Sequence, residues 1–136
     1  MSTVRTGVST GILLGIVLSA LLWIAVQPAH AQTAEECRAD ITELRAQTLS
    51  TPFIGQNAAK DQAGLVGKLD SASAKLSQDK FQDTLANLQG FRTKVVMLEQ
   101  QGKISPTDAS ALIASADGAI ACVQGLVDAQ AAPSAA

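Results

Sequence analysis

The sequence predicts an all-α fold, an antiparallel four-helix bundle with up-down-up-down topology. Three observations support this prediction. Four segments carry apolar residues at helical spacing, and cap residues precede most of them. The only aromatic residues besides one tryptophan are three phenylalanines, and such an aliphatic core suits packed helices better than a sheet. The connections are short, which favours antiparallel neighbours.

The first helix is expected to begin after Thr33, because Glu36 three residues later completes a capping-box pattern. Its apolar face follows helical spacing and consists of Cys37, Ile41, Leu44 and Thr48. The helix is expected to end before Pro52, because a residue that precedes proline disfavours helical backbone angles.

The second helix has Asn57 as its expected cap and a buried stripe at Leu65, Leu69, Ala72 and Leu76. Gly64 and Gly67 interrupt this helix. Each costs roughly 1 kcal/mol relative to alanine in a helix interior. An alternative interpretation is that they allow close approach of a neighbouring helix.

The third helix is expected to begin near Asp79, whose carboxylate favours the positive helix end. Its stripe is Phe81, Leu85, Leu88, Phe91, Val95 and Leu98. Gly102 is expected to end it in a Schellman-type cap, with Ile104 folding back onto the helix.

The fourth helix has the clearest start, with Ser105 as cap, Pro106 at the first helical position and Asp108 completing a box-like arrangement. The expected buried face comprises Ala109, Leu112, Ile113, Ala116, Ile120, Val123 and Val127. The chain from Ala129 on has little to bury, so we expect a disordered tail that includes all of residues 131–136. The bundle domain then spans residues 32–130.

The N-terminal segment, residues 1–31, is typical of a secretory signal peptide. Arg5 precedes an apolar run over residues 12–26, and the small residues Ala29 and Ala31 form an Ala-x-Ala cleavage site. We therefore expect export to the periplasm or the extracellular space. The alternative is an uncleaved membrane anchor over residues 7–26, because a span needs about 20 apolar residues.

Export makes a disulfide between Cys37 and Cys122 the favoured state of the two cysteines. In an up-down-up-down bundle both would lie near the same end. The bridge would close almost the whole domain, and the chain-entropy model gives such a loop on the order of 4 to 5 kcal/mol. Two free thiols or an intermolecular bond are the alternatives.

The formal net charge is −2, and all twelve acidic residues follow Ala31. No basic cluster is present, so nucleic acid is not an expected partner. We expect a monomer that contacts an exported protein or a surface ligand, and a membrane only if the N-terminal segment is retained.

The chemistry available to the exported chain is limited, because the only histidine of the sequence is His30, which cleavage after Ala31 would remove. Without imidazole, Ser-His-Asp and Cys-His catalysis and histidine zinc sites are excluded. Ser77 and Lys80 form a Ser-x-x-Lys string, which keeps a small hydrolase open as an alternative. The partner motifs of that enzyme class are missing, and we interpret the string as chance.

Two pairs of carboxylates, Asp79 with Asp83 and Glu36 with Asp40, stand one helical turn apart. Paired carboxylates perform acid–base chemistry when one of them is buried. Both pairs lie at expected helix starts, where acidic residues stabilise the helix end and stay solvated. We therefore expect no enzymatic activity, no cofactor and no metal site.

A series of residues from Leu65 to Val123 resembles a known family. The series reads Leu65-x3-Leu69-x2-Ala72-x3-Leu76, Leu85-x2-Leu88-x2-Phe91-x3-Val95-x2-Leu98, Gly102-Lys103-Ile104-Ser105 and Ala109-x2-Leu112-Ile113-x2-Ala116. It resembles the FIMAH domain, a small helical module of exported bacterial proteins. The resemblance implies a non-catalytic accessory role and supplies no binding residues. Arg92 departs from the pattern, since the family usually has an apolar residue there.

Four residues are candidates for an interaction surface. Arg92 projects inside the apolar stripe, so its stem packs while its head reaches water or an acidic partner, or it is an exposed recognition residue beside Phe91. Phe53 and Ile54 are adjacent apolar residues in the first loop. They either cover the core or, if exposed, form a contact patch.

Overall fold

A computed structural model describes residues 32–131, and in this range the chain forms four α-helices and no strand. Helix α1 spans Ala34–Ser50, α2 spans Ala58–Ser77, α3 spans Phe81–Gln100 and α4 spans Pro106–Ala131. The predicted signal peptide with its cleavage site at Ala29 and Ala31, the alternative anchor and the tail after Ala131 lie outside the described residues. Helix α4 includes Ala129 and Gln130, so the start of the predicted tail at Ala129 is wrong.

Two helix starts match their predicted caps. At α1, the Glu36 amide donates to Thr33 Oγ1 at 3.2 Å and the Thr33 amide donates to Glu36 Oε2 at 2.8 Å, which completes the capping box. At α4, the Asp108 amide donates to Ser105 Oγ at 3.1 Å. The Ser105 hydroxyl in turn donates to Asp108 Oδ2 at 2.7 Å. Both caps satisfy amides that the first helical turn leaves without partners.

The other two helix starts differ from the predictions. Asn57 is the N-cap of α2, but its side chain makes no capping hydrogen bond. Asp79 does not cap α3, which begins at Phe81 after Lys80. Asp79 instead has a positive φ of 58° and ends α2. The amides of Asp79 and Lys80 donate to the carbonyls of Leu76 and Lys75, which is the Schellman pattern.

Gly102 ends α3 by the same Schellman pattern, as predicted. Its φ is 70°, and its amide donates to the Glu99 carbonyl while the Lys103 amide donates to the Leu98 carbonyl. Ile104 follows and is buried. The chain therefore reverses within a few residues between α3 and α4, with an apolar side chain anchoring the turn.

A single hydrophobic core joins all four helices. Each helix packs against its neighbours in the chain, and α1 also packs against α4. The large, fully buried side chains include Ile41, Leu44, Leu65, Leu69, Leu88, Phe91, Val95 and Leu112. The buried hydroxyls of Thr48 and Thr84 donate to carbonyls four residues earlier, so these two polar groups have hydrogen-bond partners inside the core.

The buried face of α4 is rotated from the predicted one. Ile113, Ile120 and Val127 are only partly buried and lie against the edge of the core. Ala119 and Leu126 are buried in their place. The covalent bond from Cys122 to α1 explains the difference, because it requires the face that carries Cys122 to point at α1.

The predicted disulfide between Cys37 and Cys122 is confirmed. The bond joins α1 to α4 with a Cα–Cα distance of 5.5 Å and a sequence separation of 85 residues. Both cysteines are buried in the core. The bridge therefore links the first turn of α1 with the second half of α4 and encloses most of the described chain in one covalent loop.

Candidate functional site

The four candidate interaction residues do not form one surface. Phe91 is fully buried among core side chains, and Phe53 is half-buried against the same core. Ile54 is 56% exposed, and its amide donates to the Lys103 carbonyl at 2.8 Å. Ile54 thus occupies a loop fixed to the connection between α3 and α4. Of the two adjacent apolar residues in this loop, one covers the core and the other faces solvent.

Arg92 lies on the surface rather than inside the apolar stripe, where its helical projection had placed it. The core face of α3 continues through Leu88, Phe91 and Val95, which leaves Arg92 at the side that faces α4. Its Nε donates to Asp117 Oδ1 at 2.7 Å, and the two side chains are 45% and 51% exposed. The head of Arg92 therefore reaches an acidic partner on α4.

Ser77 and Lys80 are both exposed, and the Ser77 hydroxyl has hydrogen-bond partners other than Lys80. The Ser77 hydroxyl donates to the Ser73 carbonyl at 3.0 Å and accepts from Arg38 Nη2 at 3.2 Å. Among residues 32–131 no hydrogen bond joins Ser77 to Lys80. In the same range no group of three or more histidine, cysteine or acidic side chains is placed to hold a metal ion.

A groove with a cavity volume of about 520 Å³ lies between α2 and α3. We call it the lysine groove. The residues that line it come from both helices and the turn after α3, and they are Asp61, Lys68, Gly90, Thr93, Lys94, Met97, Leu98 and Gln101. Two cationic side chains, Lys68 and Lys94, line this groove together with the apolar side chain of Met97. Met97 is 51% exposed and lies on α3, as Lys94 does.

Each of the two groove lysines lies against a glycine of the opposite helix. Lys94 reaches from α3 to α2, where its Nζ lies 3.0 Å from the position that a Cβ atom would take at Gly64. Lys68 reaches from α2 to α3, where its Nζ lies 3.3 Å from the corresponding position at Gly90. Each ammonium group thus rests over a glycine of the opposite helix, in space that any larger residue would narrow.

This arrangement revises the interpretation of the glycines in α2. Gly64 does allow a close approach, but of the Lys94 side chain and not of a helix backbone. Gly67 has no atom within 4 Å of a Cβ position, so it faces open space and the close-approach interpretation is wrong for it.

The groove carries net positive charge. Four ion pairs occur in the described part of the chain, and neither Lys68 nor Lys94 belongs to any of them. The one acidic residue of the lining, Asp61, already has a counter-charge, because Lys103 Nζ lies 3.1 Å from its Oδ2. This contact is an ion pair but not an aligned hydrogen bond, since Oδ2 has no hydrogen-bond partner. Lys68 and Lys94 therefore stand without a carboxylate partner within residues 32–131.

A second, smaller cavity of about 210 Å³ lies between α1 and α4 and is lined by Asp40, Glu43, Leu44, Ser115, Gly118 and Ala119. Its two carboxylates give it the opposite charge.

Helix α4 is the longest of the four described helices and has an apolar composition. Among the described helices α4 alone is long and apolar enough to cross a membrane by length and composition, and one of its faces is buried in the bundle core.

Lys68 and Lys94 were not predicted as site residues, although the sequence contains a signal for them. Gly64 precedes Lys68 by four residues, and Gly90 precedes Lys94 by four residues. In a helix this spacing places glycine and lysine on one face, about 6 Å apart along the axis. The same Gly-x3-Lys pattern on two successive helices indicates the reciprocal packing once the helices are known to be neighbours.

The described chain is thus a disulfide-bridged four-helix bundle with a cationic groove between α2 and α3. The chain matches no protein-family model, no curated protein and no solved structure.

Proposed function

We propose that this protein is an exported, non-catalytic helical module that acts as an accessory binding or structural protein in the periplasm or the extracellular space. The signal-peptide pattern of residues 1–31 supports export. The bridge between Cys37 and Cys122 is weakly consistent with it, because disulfides persist in oxidising compartments. The observation that carries the binding role is the lysine groove, a surface cavity with two cations that lack carboxylate partners among the described residues.

The up-down-up-down topology is part of this proposal. Contacts between α1 and α2 support antiparallel packing, because Arg38 contacts Ser77 while Arg45 contacts Asp70. Contacts between α1 and α4 follow the same order. Cys37 is bonded to Cys122, and Gln47, further along α1, accepts a hydrogen bond from Ser115, earlier on α4. The crossed lysine–glycine pairs support it for α2 and α3.

A non-catalytic role rests on the side chains that the exported chain would possess. Removal of residues 1–31 removes the sole histidine. The engagement of the Ser77 hydroxyl with Ser73 and Arg38 favours a structural role for this serine. The resemblance to FIMAH domains implies the same accessory role and stays a prediction.

Two alternatives have their own tests. In a membrane-anchored envelope component, residues 7–26 would be retained and the bundle would be tethered. The N-terminus of the native protein distinguishes these forms, since Gln32 indicates cleavage and Met1 or Ser2 indicates retention. A small hydrolase would require Ser77, and loss of a purified activity in Ser77→Ala would overturn the non-catalytic proposal.

The export proposal is tested by the intact mass of the protein recovered from each cell fraction. We expect a chain that begins at Gln32, in the periplasm or culture fluid, with no thiol open to alkylation under denaturing, non-reducing conditions. Recovery of the protein from the cytoplasm with two free thiols would contradict export.

The binding role is tested by a photoreactive residue in place of Thr93, which lines the groove, and by the same residue in place of Ser110 on α4 as a control. We expect one discrete adduct at position 93 that is lost in the variant Lys68→Gln/Lys94→Gln. Equal labelling at both positions, or none at either, would contradict a binding role for the groove.

A further inference from the structure

We propose that the lysine groove binds a small molecule that carries an oxyanion, a carboxylate or a phosphate, on an apolar body. This inference rests on the proposed binding role of the groove and adds the chemistry of the ligand. In this arrangement Lys68 and Lys94 bind the oxyanion, and Met97 contacts the apolar body.

The anion preference follows from the positions of the two ammonium groups. Lys68 and Lys94 extend across the helix interface from opposite sides, and each head lies over a glycine. Both line one cavity, and no described carboxylate pairs with either. Two positive charges that line one cavity attract an anion to it. An oxyanion between them offers several acceptors to their six N–H donors.

Asp61 does not cancel this preference. It is only 13% exposed, and Lys103 Nζ lies 3.1 Å from its Oδ2. The Lys103 carbonyl also accepts a hydrogen bond from the Ile54 amide. Lys103 therefore connects Asp61 of the groove with the loop between α1 and α2 and the loop between α3 and α4. Because the Asp61 carboxylate already pairs with Lys103, it does not neutralise Lys68 and Lys94, and their charge can attract a ligand.

The apolar part of the proposed ligand follows from the remaining lining. Met97 is half-exposed on the α3 wall of the groove, and Leu98 lies beside it with its side chain in the core. A flexible thioether side chain adapts to apolar groups of different shapes. A ligand with an aliphatic body would cover Met97 while its anionic group stays at the lysines.

The size of the groove favours a small molecule over a protein surface. Its volume of about 520 Å³ lies within the roughly 300 to 1,000 Å³ that is typical of small-molecule sites. A protein interface involves roughly 20 to 30 residues on each partner, whereas eight residues line the groove. We therefore assign the groove to a small anionic ligand, and an acidic protein becomes one outcome of the test.

The test is an amide-resolved NMR titration of the disulfide-bonded protein with four probes: inorganic phosphate, hexanoate, hexyl phosphate and uncharged hexanol. We expect saturable shifts at Gly64, Lys68, Gly90 and Lys94 with the three anions and none with hexanol. Hexyl phosphate should bind about tenfold more tightly than inorganic phosphate, because burial of even two methylene groups gives a factor of this size. Hexanoate against hexyl phosphate distinguishes carboxylate from phosphate preference.

The variant Lys68→Gln/Lys94→Gln should bind each anion at least about tenfold more weakly, because each lysine supplies a charged hydrogen bond. Lys75→Gln/Lys80→Gln removes the same net charge outside the groove and should bind as the wild type does. Both variants change partly or fully exposed side chains, and retained helical circular dichroism checks their folding. Equal affinity in the two double variants, or shifts confined to residues outside the groove, would overturn the proposal.

The photo-crosslinking experiment separates this inference from the proposed function. An adduct heavier by a few hundred daltons at position 93 supports a small ligand. A protein-sized adduct, together with no anion binding in the titration, would overturn this inference and leave the binding role intact. Cytoplasmic recovery would overturn export and leave the anion chemistry unaffected.

Discussion

Lys94 Nζ lies 3.0 Å from the point where a Cβ atom would stand at Gly64. The methyl group of an alanine at position 64 would therefore crowd the Lys94 ammonium group. Gly67, three residues later in the same helix, has no such neighbour. Two glycines in one helix therefore have different surroundings, and only one of them makes room for a side chain from α3.

This difference predicts different stabilities for two matched variants. Gly67→Ala should raise the free energy of unfolding by up to about 1 kcal/mol, since alanine is the better helix former and the site is open. Gly64→Ala should gain less, because the new methyl group must displace the Lys94 ammonium. Urea unfolding measures both. An equal gain in the two variants would contradict the packing of Lys94 over Gly64.

Loss of the disulfide should strongly destabilise this fold. Cys37→Ser/Cys122→Ser opens a loop whose ends are 85 residues apart, and the chain-entropy model assigns such a loop about 4 to 5 kcal/mol. Denaturant unfolding of the double variant against the oxidised wild type measures the loss. The reduced wild type is the control, because it keeps both cysteines. A loss below about 1 kcal/mol in both would contradict the prediction.

The sequence predicted the helices well because their signals are local. Spacing of apolar residues and the caps at Thr33 and Ser105 depend on neighbours within a few positions, and the structure has both caps as expected. The disulfide was predictable because only two cysteines exist. The rotation of α4 was not, because it depends on where the bridge holds Cys122 against α1.

The groove could not be predicted from local sequence signals, because it also depends on how the helices pack. Lys68 and Lys94 are 26 positions apart in the chain, and each looks like an ordinary solvated residue on its own helix. Only the packing of α2 against α3 brings each lysine over the other helix's glycine. Asp79 was misassigned because an acidic residue before a helix normally indicates a cap. Here the same residue ends the preceding helix in a left-handed conformation.

The left-handed backbone of Asp79 predicts a stabilising substitution. Its φ of 58° is a conformation that glycine adopts without steric cost, and glycine is the common residue at this position of a Schellman cap. Asp79→Gly should raise the free energy of unfolding by about 0.5 to 1 kcal/mol, because relief of the left-handed strain, about 1 to 2 kcal/mol, exceeds the entropy that glycine adds to the unfolded chain, about 0.4 to 1 kcal/mol. Asp79→Ala is the control and should lower it, since alanine lacks the short polar side chain that makes left-handed backbone less costly for aspartate. Thermal unfolding of the two variants checks the prediction, and a destabilised glycine variant would contradict it.

The ion pair between Arg92 and Asp117 should contribute little to stability, despite its short distance of 2.7 Å. Both side chains are about half exposed, and water and salt screen such pairs. A double-mutant cycle with Arg92→Gln and Asp117→Asn should give a coupling energy of roughly 0.2 to 1 kcal/mol. This coupling should fall as salt is raised from about 0.01 to about 0.5 M, because the screening length shortens severalfold over that range.

The matched pair for comparison is Arg45 on α1 and Asp70 on α2, which lie 2.8 Å apart with similar exposure and should behave in the same way. A coupling for Arg92 and Asp117 well above that of the matched pair, and insensitive to salt, would show that Arg92 holds α3 against α4.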